Sequence, residues 1–342
     1  MKTVSDPPGA QTTASAQQRA KLLNWLRNRA AALAPFATLA ILVIFFTFAS
    51  DSFLNIDNLR NILAQIATLS IVATGMTFVL LCGQIDLSVA AVATMSGVIA
   101  ATLFSDVGLP EILAIIVAAL IALVFGIVSG WGTTKVGLPS FMMTLVGMQV
   151  ANGLALYISK GKINYNVPPI LKTLGSERLF GAIPLVVVAG AITLLVGHIV
   201  LTYTRFGRYV YMTGSNRVGA ELSGINTRFV IGACLAISAF CAGLAGMLNT
   251  GRLGSAQSYG LDSFLLDSIT AVVLGGTSLF GGQGGVKNTV IGLLVFGVLS
   301  NGLNQIQLDI YIRLLIAGLI LLAALLINNY AMKLRSVQVE AE

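Results

Sequence analysis

The side chains able to do acid–base or covalent chemistry are few. His198 is the single histidine. A hydrolase nucleophile needs a base within reach, and His198 sits near the end of an apolar segment, where it reads as an interfacial or packed residue. Asp86 and Asp267 are acids set in or beside apolar stretches, where a carboxylate is costly. Asp86 stands in CGQIDLS, and Ser88 with the amides that follow can satisfy it as a helix N-cap. A phosphate-cradling GxxxxGK[ST] loop is absent. Gly161-Lys162 is followed by Ile163, and GGQGG at 281–285 lacks the lysine and hydroxyl. If ATP drives this protein, another chain must bind it. Cys82, Cys234 and Cys241 lie in or at the ends of apolar segments and read as small buried hydrophobes, without metal or disulfide spacing. The chain is not expected to be an enzyme or to bind a cofactor or metal.

Uncharged polar residues are the more suggestive set. Gln65, Thr68, Thr74, Gln149, Asn152, Asn249, Asn301 and Asn304 carry hydrogen-bonding groups into otherwise apolar segments. A sugar or polyol needs such partners; so do helices glued to one another in a membrane. Gln65, Gln149, Asn152, Asn249, Asn301 and Asn304 are the candidate substrate path. The shortage of buried ionisable groups argues against proton- or sodium-coupled transport.

The elements that must position these residues are membrane helices. Hydrophobic residues make up 56% of the 342 and charged residues 10%, against about 25% charged in soluble domains; the mean hydropathy is +0.89. Only helices or closed barrels can span a bilayer, and long apolar runs without alternation select helices. The expected fold class is all-α: a polytopic bundle of about ten spans, each near 20 residues. The apolar segments are 33–49, 62–82, 86–104, 112–130, 140–159, 182–203, 229–249, 264–280, 287–303 and 311–330. Those at 264–280 and 287–303 are short and glycine-rich, so one is a candidate for a broken or re-entrant helix. Gly83-Gln84 and Gly282-Gln283 each stand between two apolar segments, a faint echo of the inverted repeats found in transporters. Small residues four apart (Gly126 and Gly130, Ala239 and Gly243, Ala242 and Gly246) suit close helix packing.

Residues 1–32 read as a polar tail with a basic amphipathic helix at 18–32, 33–330 as the membrane domain and 331–342 as a second tail. No cleavable signal peptide is evident. Placing both termini in the cytoplasm puts most of the 20 Lys and Arg on that side. The net charge of +7 therefore fits the positive-inside pattern rather than nucleic-acid binding. The loop 160–181 then lies outside, stiffened by Pro168 and Pro169, as a solvated connector or a cap over a cavity.

Between two long apolar blocks sits a polar island, residues 204–228, holding Arg205, Arg208, Arg217 and Arg228 against one acid, Glu221. Its middle, Arg217 to Gly224, can form about two helical turns with Gly219, Ala220 and Ser223 exposed, suited to docking another protein.

Three stretches, GQIDLSVAAVATMSG (83–97), FGRYVYMTGSNRVGAELSGIN (206–226) and GGTSLFGGQGG (275–285), resemble the permease subunits of bacterial ABC sugar importers, the ribose, xylose and arabinose type. The resemblance runs in order from about residue 35 to 330. It implies a multi-pass inner-membrane subunit, paired with a second permease subunit that is a copy or a paralogue. Two ATP-binding subunits, which use ATP and Mg, would dock on its cytoplasmic face, and a periplasmic substrate-binding protein would deliver the sugar. The loop at 204–228 would be the coupling helix, where Gly214, Asn216, Ala220, Glu221 and Gly224 match the family's pattern. Gly214-Ser215 stands where relatives carry two glycines, and Gly219-Ala220 where many carry two alanines. The cargo expected is a monosaccharide or polyol, with branched-chain amino acids or a stand-alone secondary transporter as alternatives.

Overall fold

The computed structural model describes residues 36–326 except positions 182, 310, 317, 320, 321, 324 and 325. The expected tails at 1–32 and 331–342, and most of the last apolar segment, lie outside the described residues. Apolar helices dominate: α1 (Phe36–Ala49), α2 (Ile56–Leu81), α3 (Val89–Ser105), α4 (Glu111–Trp131) and α5 (Ser140–Ser159). After a short α6 (Pro169–Ser176) and a two-residue hairpin, β1 (Arg178–Leu179) with β2 (Ile183–Pro184), come α7 (Leu185–Tyr203), α8 (Arg205–Ser215) and α9 (Arg217–Leu222). The chain continues through α10 (Thr227–Leu253), α11 (Ser263–Leu274) and α12 (Val286–Gln305). Among the described residues, six helices are long and apolar enough to cross a membrane, and α1, α3 and α11 are shorter apolar helices.

Burial divides the helices. α2 and α10 form the centre with α3, apolar nearly all round and buried on nearly every side. That pattern marks a helix packed inside a membrane bundle. α4, α5 and α7 bury few residues, mostly small ones such as Ala118, Ala122 and Gly126 on α4, and turn most of their large apolar residues outward. Their outer faces suit lipid.

Small-residue spacing places the bundle axis. A Cβ added at Gly126 would lie 2.6 Å from Ala236 Cα, one at Gly130 2.8 Å from Gly232 Cα, and one at Gly243 2.5 Å from Ala122 Cβ. These glycines let α4 and α10 approach at backbone distance, the packing role of small-xxx-small spacing.

Local chemistry sets the helix ends. Asn55 caps α2 by accepting from Asp57 N at 3.0 Å, and Gly254 (φ 66°) closes α10 in the left-handed region. Pro169 occupies the first turn of α6, where its missing N–H costs nothing. The 160–181 loop is thus partly ordered. Leu171 and Gly175 of α6 are buried, and α6 lies on α10, with Gly251 open for the Leu171 carbonyl.

Two expected segments end differently. The run at 264–280 is helical only to Leu274, because the six glycines of 275–285 favour turns over helix. The segment expected from residue 86 becomes helix only at Val89.

Candidate functional site

The two breaks in the helical core are the starting point. Between α2 and α3, residues 82–88 leave the helix at Gly83 (φ 67°). In a bilayer their backbone amides must find protein partners, and they do. Gln84 N donates to Val79 O at 3.0 Å, Ile85 N to Ser140 Oγ at 3.2 Å and Leu87 N to Thr144 Oγ1 at 3.1 Å. Asp86 closes the segment: its Oδ1 accepts from Ser88 N at 2.9 Å and from Ser88 Oγ at 2.6 Å. The expected N-cap role shifts by two residues. Ser88 holds the cap position without a side-chain cap bond, and Asp86 forms an Asx-type turn ahead of it.

The second break, residues 275–285 between α11 and α12, is a tight glycine loop. Ser278 N donates to Gln283 O at 2.9 Å, and Gly285 N to Thr277 Oγ1 at 3.3 Å. Gly276, Gly281, Gly282, Gly284 and Gly285 all have φ between 71° and 151°. The two breaks touch: Gly282 N donates to Leu81 O at 2.9 Å. The glycine–glutamine echo seen in the sequence therefore marks two breaks that pack together.

The polar island docks on this junction. A Cβ at Gly281 would lie 2.8 Å from Gly214 O and 2.9 Å from Gly83 N; one at Gly214 would lie 2.8 Å from Gly282 N. Tyr211 Oη on α8 donates to Gly284 O at 2.9 Å, and the half-buried phenol's titration is pushed up by desolvation. Phe206 stacks on Phe78 at 6.3 Å between ring centres. The three motifs separated in sequence thus meet at Gly83, Gly214 and Gly281–Gly282, backbone against backbone.

The island's polar residues are serial caps. Thr204 Oγ1 accepts from Gly207 N at 3.2 Å, Asn216 Oδ1 from Gly219 N at 2.9 Å and Asn226 Oδ1 from Phe229 N at 3.0 Å. They start α8, α9 and α10 in turn. Gly224 (φ 79°) ends α9 in a Schellman motif: Gly224 N donates to Glu221 O and Ile225 N to Ala220 O, both at 3.0 Å. Glu221 Oε1 accepts from Thr227 Oγ1 at 2.5 Å and from Arg217 Nε at 3.2 Å. The Thr227 hydroxyl and then Arg217 hold its carboxyl below the usual range.

One expectation about this loop is corrected. Ala220 is 2% exposed, not outward, because it is the anchor on which α9 rests. The outward face carries Val218 (67% exposed) and Leu222 (85%), one helical turn apart. Small residues drew attention in the sequence; the large apolar pair beside them is what is presented. Its i, i+4 spacing was the available signal.

The expected path residues do not gather in one place. Gln65, Gln149 and Asn304 are exposed on α2, α5 and α12, and Asn152 is half-buried. Asn301 is buried in a reciprocal amide pair with Asn58: Asn58 Nδ2 donates to Asn301 Oδ1 at 2.9 Å and Asn301 Nδ2 to Asn58 Oδ1 at 3.0 Å. Gln305 Nε2 adds a third bond to Asn58 Oδ1 at 2.6 Å. This cluster ties α2 to α12 at the end of the bundle far from α9. Asn249 lies at the C-terminal end of α10, in a polar recess beneath the 255–261 loop. The cysteines are free and buried as expected, but Cys82 and Cys234 bring their sulfurs to 3.3 Å beside the junction, a proximity that spacing along the chain does not reveal. Among the described residues, no cluster of His, Cys, Asp and Glu is arranged to hold a metal ion.

The family described as "Branched-chain amino acid transport system / permease component" matches residues 58–325. The chain is similar to the Ribose import permease protein RbsC of Haemophilus influenzae, 37% identical over 86% of this chain and 92% of the relative. It is 33% identical to the D-allose transport system permease protein AlsC of Escherichia coli, covering 87% of this chain and 91% of the relative. The Fructose import permease protein FrcC of Rhizobium meliloti is 30% identical, covering 92% and 89%. No solved structure matches the chain.

Proposed function

The chain belongs to the branched-chain amino acid transport system / permease component family, and from that premise we propose that it is the membrane-spanning permease of an ATP-driven importer for a monosaccharide. The relatives' printed cargoes, ribose, allose and fructose, support a sugar over a branched-chain amino acid. Asp86 apart, the buried polar residues are uncharged, which agrees, since a zwitterion wants charged partners.

The observation that carries the mechanism is the junction of α8 with both helix breaks. α9 offers Val218 and Leu222 to a partner, here a separate ATP-binding subunit that uses ATP and Mg. It continues through Asn216 and Ser215 into Gly214, which is seated against Leu81 and Gly282. A rigid push on α9 therefore reaches the two core breaks without passing through a flexible linker. ATP-driven closure of the partner subunits would rock the bundle between inward- and outward-open states. Such a shift requires that the partner bind the two states unequally, and α9 is where the difference is felt.

In this reading the α8–α9 end faces the cytoplasm of a bacterial inner membrane, with both termini on that side, about ten spans and a second permease subunit completing the pathway. A periplasmic binding protein would meet the opposite end, over α6 and the β1–β2 hairpin. Asn301 serves as a helix tie, Asn249 as part of the sugar path.

Retention of the chain on its tagged ATP-binding subunit tests the docking. Wild type should be retained. Leu222→Glu, which puts a charge on the most exposed apolar position of α9, and Gly224→Glu, which strains its Schellman end, should lose retention while still inserting in the membrane. Unchanged retention of both variants would remove α9 from the coupling role.

A further inference from the structure

At the end of the bundle opposite α9, a small open recess lies between α3, the last turns of α10 and the loop that follows it. Every residue lining it is uncharged. Asn249 is 2% exposed at its floor. Arg252 Nη2 donates to Asn249 Oδ1 at 3.2 Å. Because a guanidinium can only donate, that contact fixes the amide's orientation and leaves Nδ2 as the donor on offer. Thr94 Oγ1 donates to Ala90 O at 3.0 Å, so only its acceptor lone pairs remain free. Gln257 Nε2 donates to Ser255 Oγ at 3.2 Å, which leaves Gln257 Oε1 as an acceptor. Thr250 adds a hydroxyl from the next position of α10, and Gly97 of α3 is what leaves space for it. Tyr259, 57% exposed, stands at the mouth.

This set alternates donors and acceptors, contains no acid, keeps its one neighbouring charge, Arg252, behind Asn249, and ends on an aromatic ring. Vicinal hydroxyls both donate and accept, and the C–H face of a sugar ring packs on an aromatic face. A zwitterionic amino acid would find no lining acid for its ammonium group.

The geometry points to this recess as a subsite for an uncharged polyhydroxyl ligand, in which Asn249 and Thr250 engage hydroxyls and Tyr259 covers one face of the ring. The inference rests on the permease reading and places its sugar at a definite position. The recess is mostly formed by a segment, 254–261, that joins two helices meeting α3. Its occupancy would thus be felt by α3, which it meets at Thr94, in the half of that helix nearest the Asp86 break.

The test uses the full chain reconstituted with its ATP-binding subunit and binding protein in vesicles, with labelled D-ribose as probe. Tyr259→Ala and Thr250→Val should each lower import at subsaturating D-ribose about fivefold or more, the scale of one lost hydrogen bond or ring contact. Both variants should still insert in the membrane and be retained on the ATP-binding subunit as wild type is. Independently, in Gln257→Cys, D-ribose should slow modification by a membrane-impermeant maleimide, and L-leucine should not; the native cysteines are buried. Wild-type import rates in both variants, or D-ribose-insensitive labelling in a protein that imports D-ribose, would overturn the subsite. Failure of the wild type to import D-ribose, D-allose, D-fructose or D-xylose would instead overturn the sugar-permease reading, and the subsite with it.

Discussion

Gly214→Ala isolates the junction between the 204–228 loop and the core. Gly214 is not among the residues with positive φ, so alanine adds no backbone strain there. What it adds is a methyl group 2.8 Å from Gly282 N and 2.9 Å from the Leu81 carbonyl carbon, and closer still to the Leu81 oxygen. Ordinary contact begins at 3.4 Å, so the Gly282 segment must part by about 0.6 Å, and the Leu81 carbonyl by more, in a densely packed region. The Gly282 N to Leu81 O bond, 2.9 Å long, lies in the line of that separation. Overpacking costs about 1–3 kcal/mol, and an orphaned buried donor about 1–3 kcal/mol. A total near 2–5 kcal/mol should appear as a fall in Tm of at least about 4 °C for the detergent-purified protein. In vesicles with the ATP-binding subunit, hydrolysis should persist while sugar import falls at least about tenfold, because docking is intact and transmission is not. Gly153→Ala on α5, with open space around it, is the control and should change neither. If Gly214→Ala keeps wild-type Tm and wild-type import, the close packing is not what links α8 to the breaks.

Other outcomes follow from the same geometry. Glu221 has its carboxyl held low by Thr227 and Arg217. Its folded value lies below its unfolded one, so its contribution is present above the unfolded range near about 4.3 and is lost as pH falls through the folded value. Wild type and Glu221→Gln should therefore differ by a constant amount in Tm from about pH 5.5 to 8, the gap closing only in acid; a gap that opens between pH 6 and 7 would contradict this. Asn301→Ala removes both bonds of the amide pair but leaves Gln305 on Asn58. A loss of about 1–3 kcal/mol is expected, measured as lower thermal stability, with cargo preference unchanged.

How much of this was legible in the sequence varies with the kind of signal. The bundle was, because apolar runs of bilayer length have no other stable outcome in lipid. That α4 and α10 pack closely on some neighbour was too, because glycines spaced by one turn must face something close; that they meet each other was not. The caps Thr204, Asn216 and Asn226 give the island its helical punctuation, and their residue types announce it. What the linear sequence hid was three-dimensional coincidence: that Gly83, Gly214 and Gly281 touch, that Cys82 meets Cys234, and that Asn301 is consumed by Asn58 rather than open to a ligand. Nothing in local spacing encodes which distant backbone a glycine admits. The inward turn of Ala220 was likewise misread, since a small residue is as suited to an anchor as to a docking face. Asp86 was placed two residues wrong because Asx turns and N-caps use the same side-chain chemistry.

The central claim is that this chain moves sugar with another chain's ATP. Uptake of labelled D-ribose into vesicles holding the chain, its ATP-binding subunit and its binding protein measures that directly. Uptake should need ATP and stop when the ATP-binding subunit is omitted. Uptake that continues without that subunit or without ATP would contradict it.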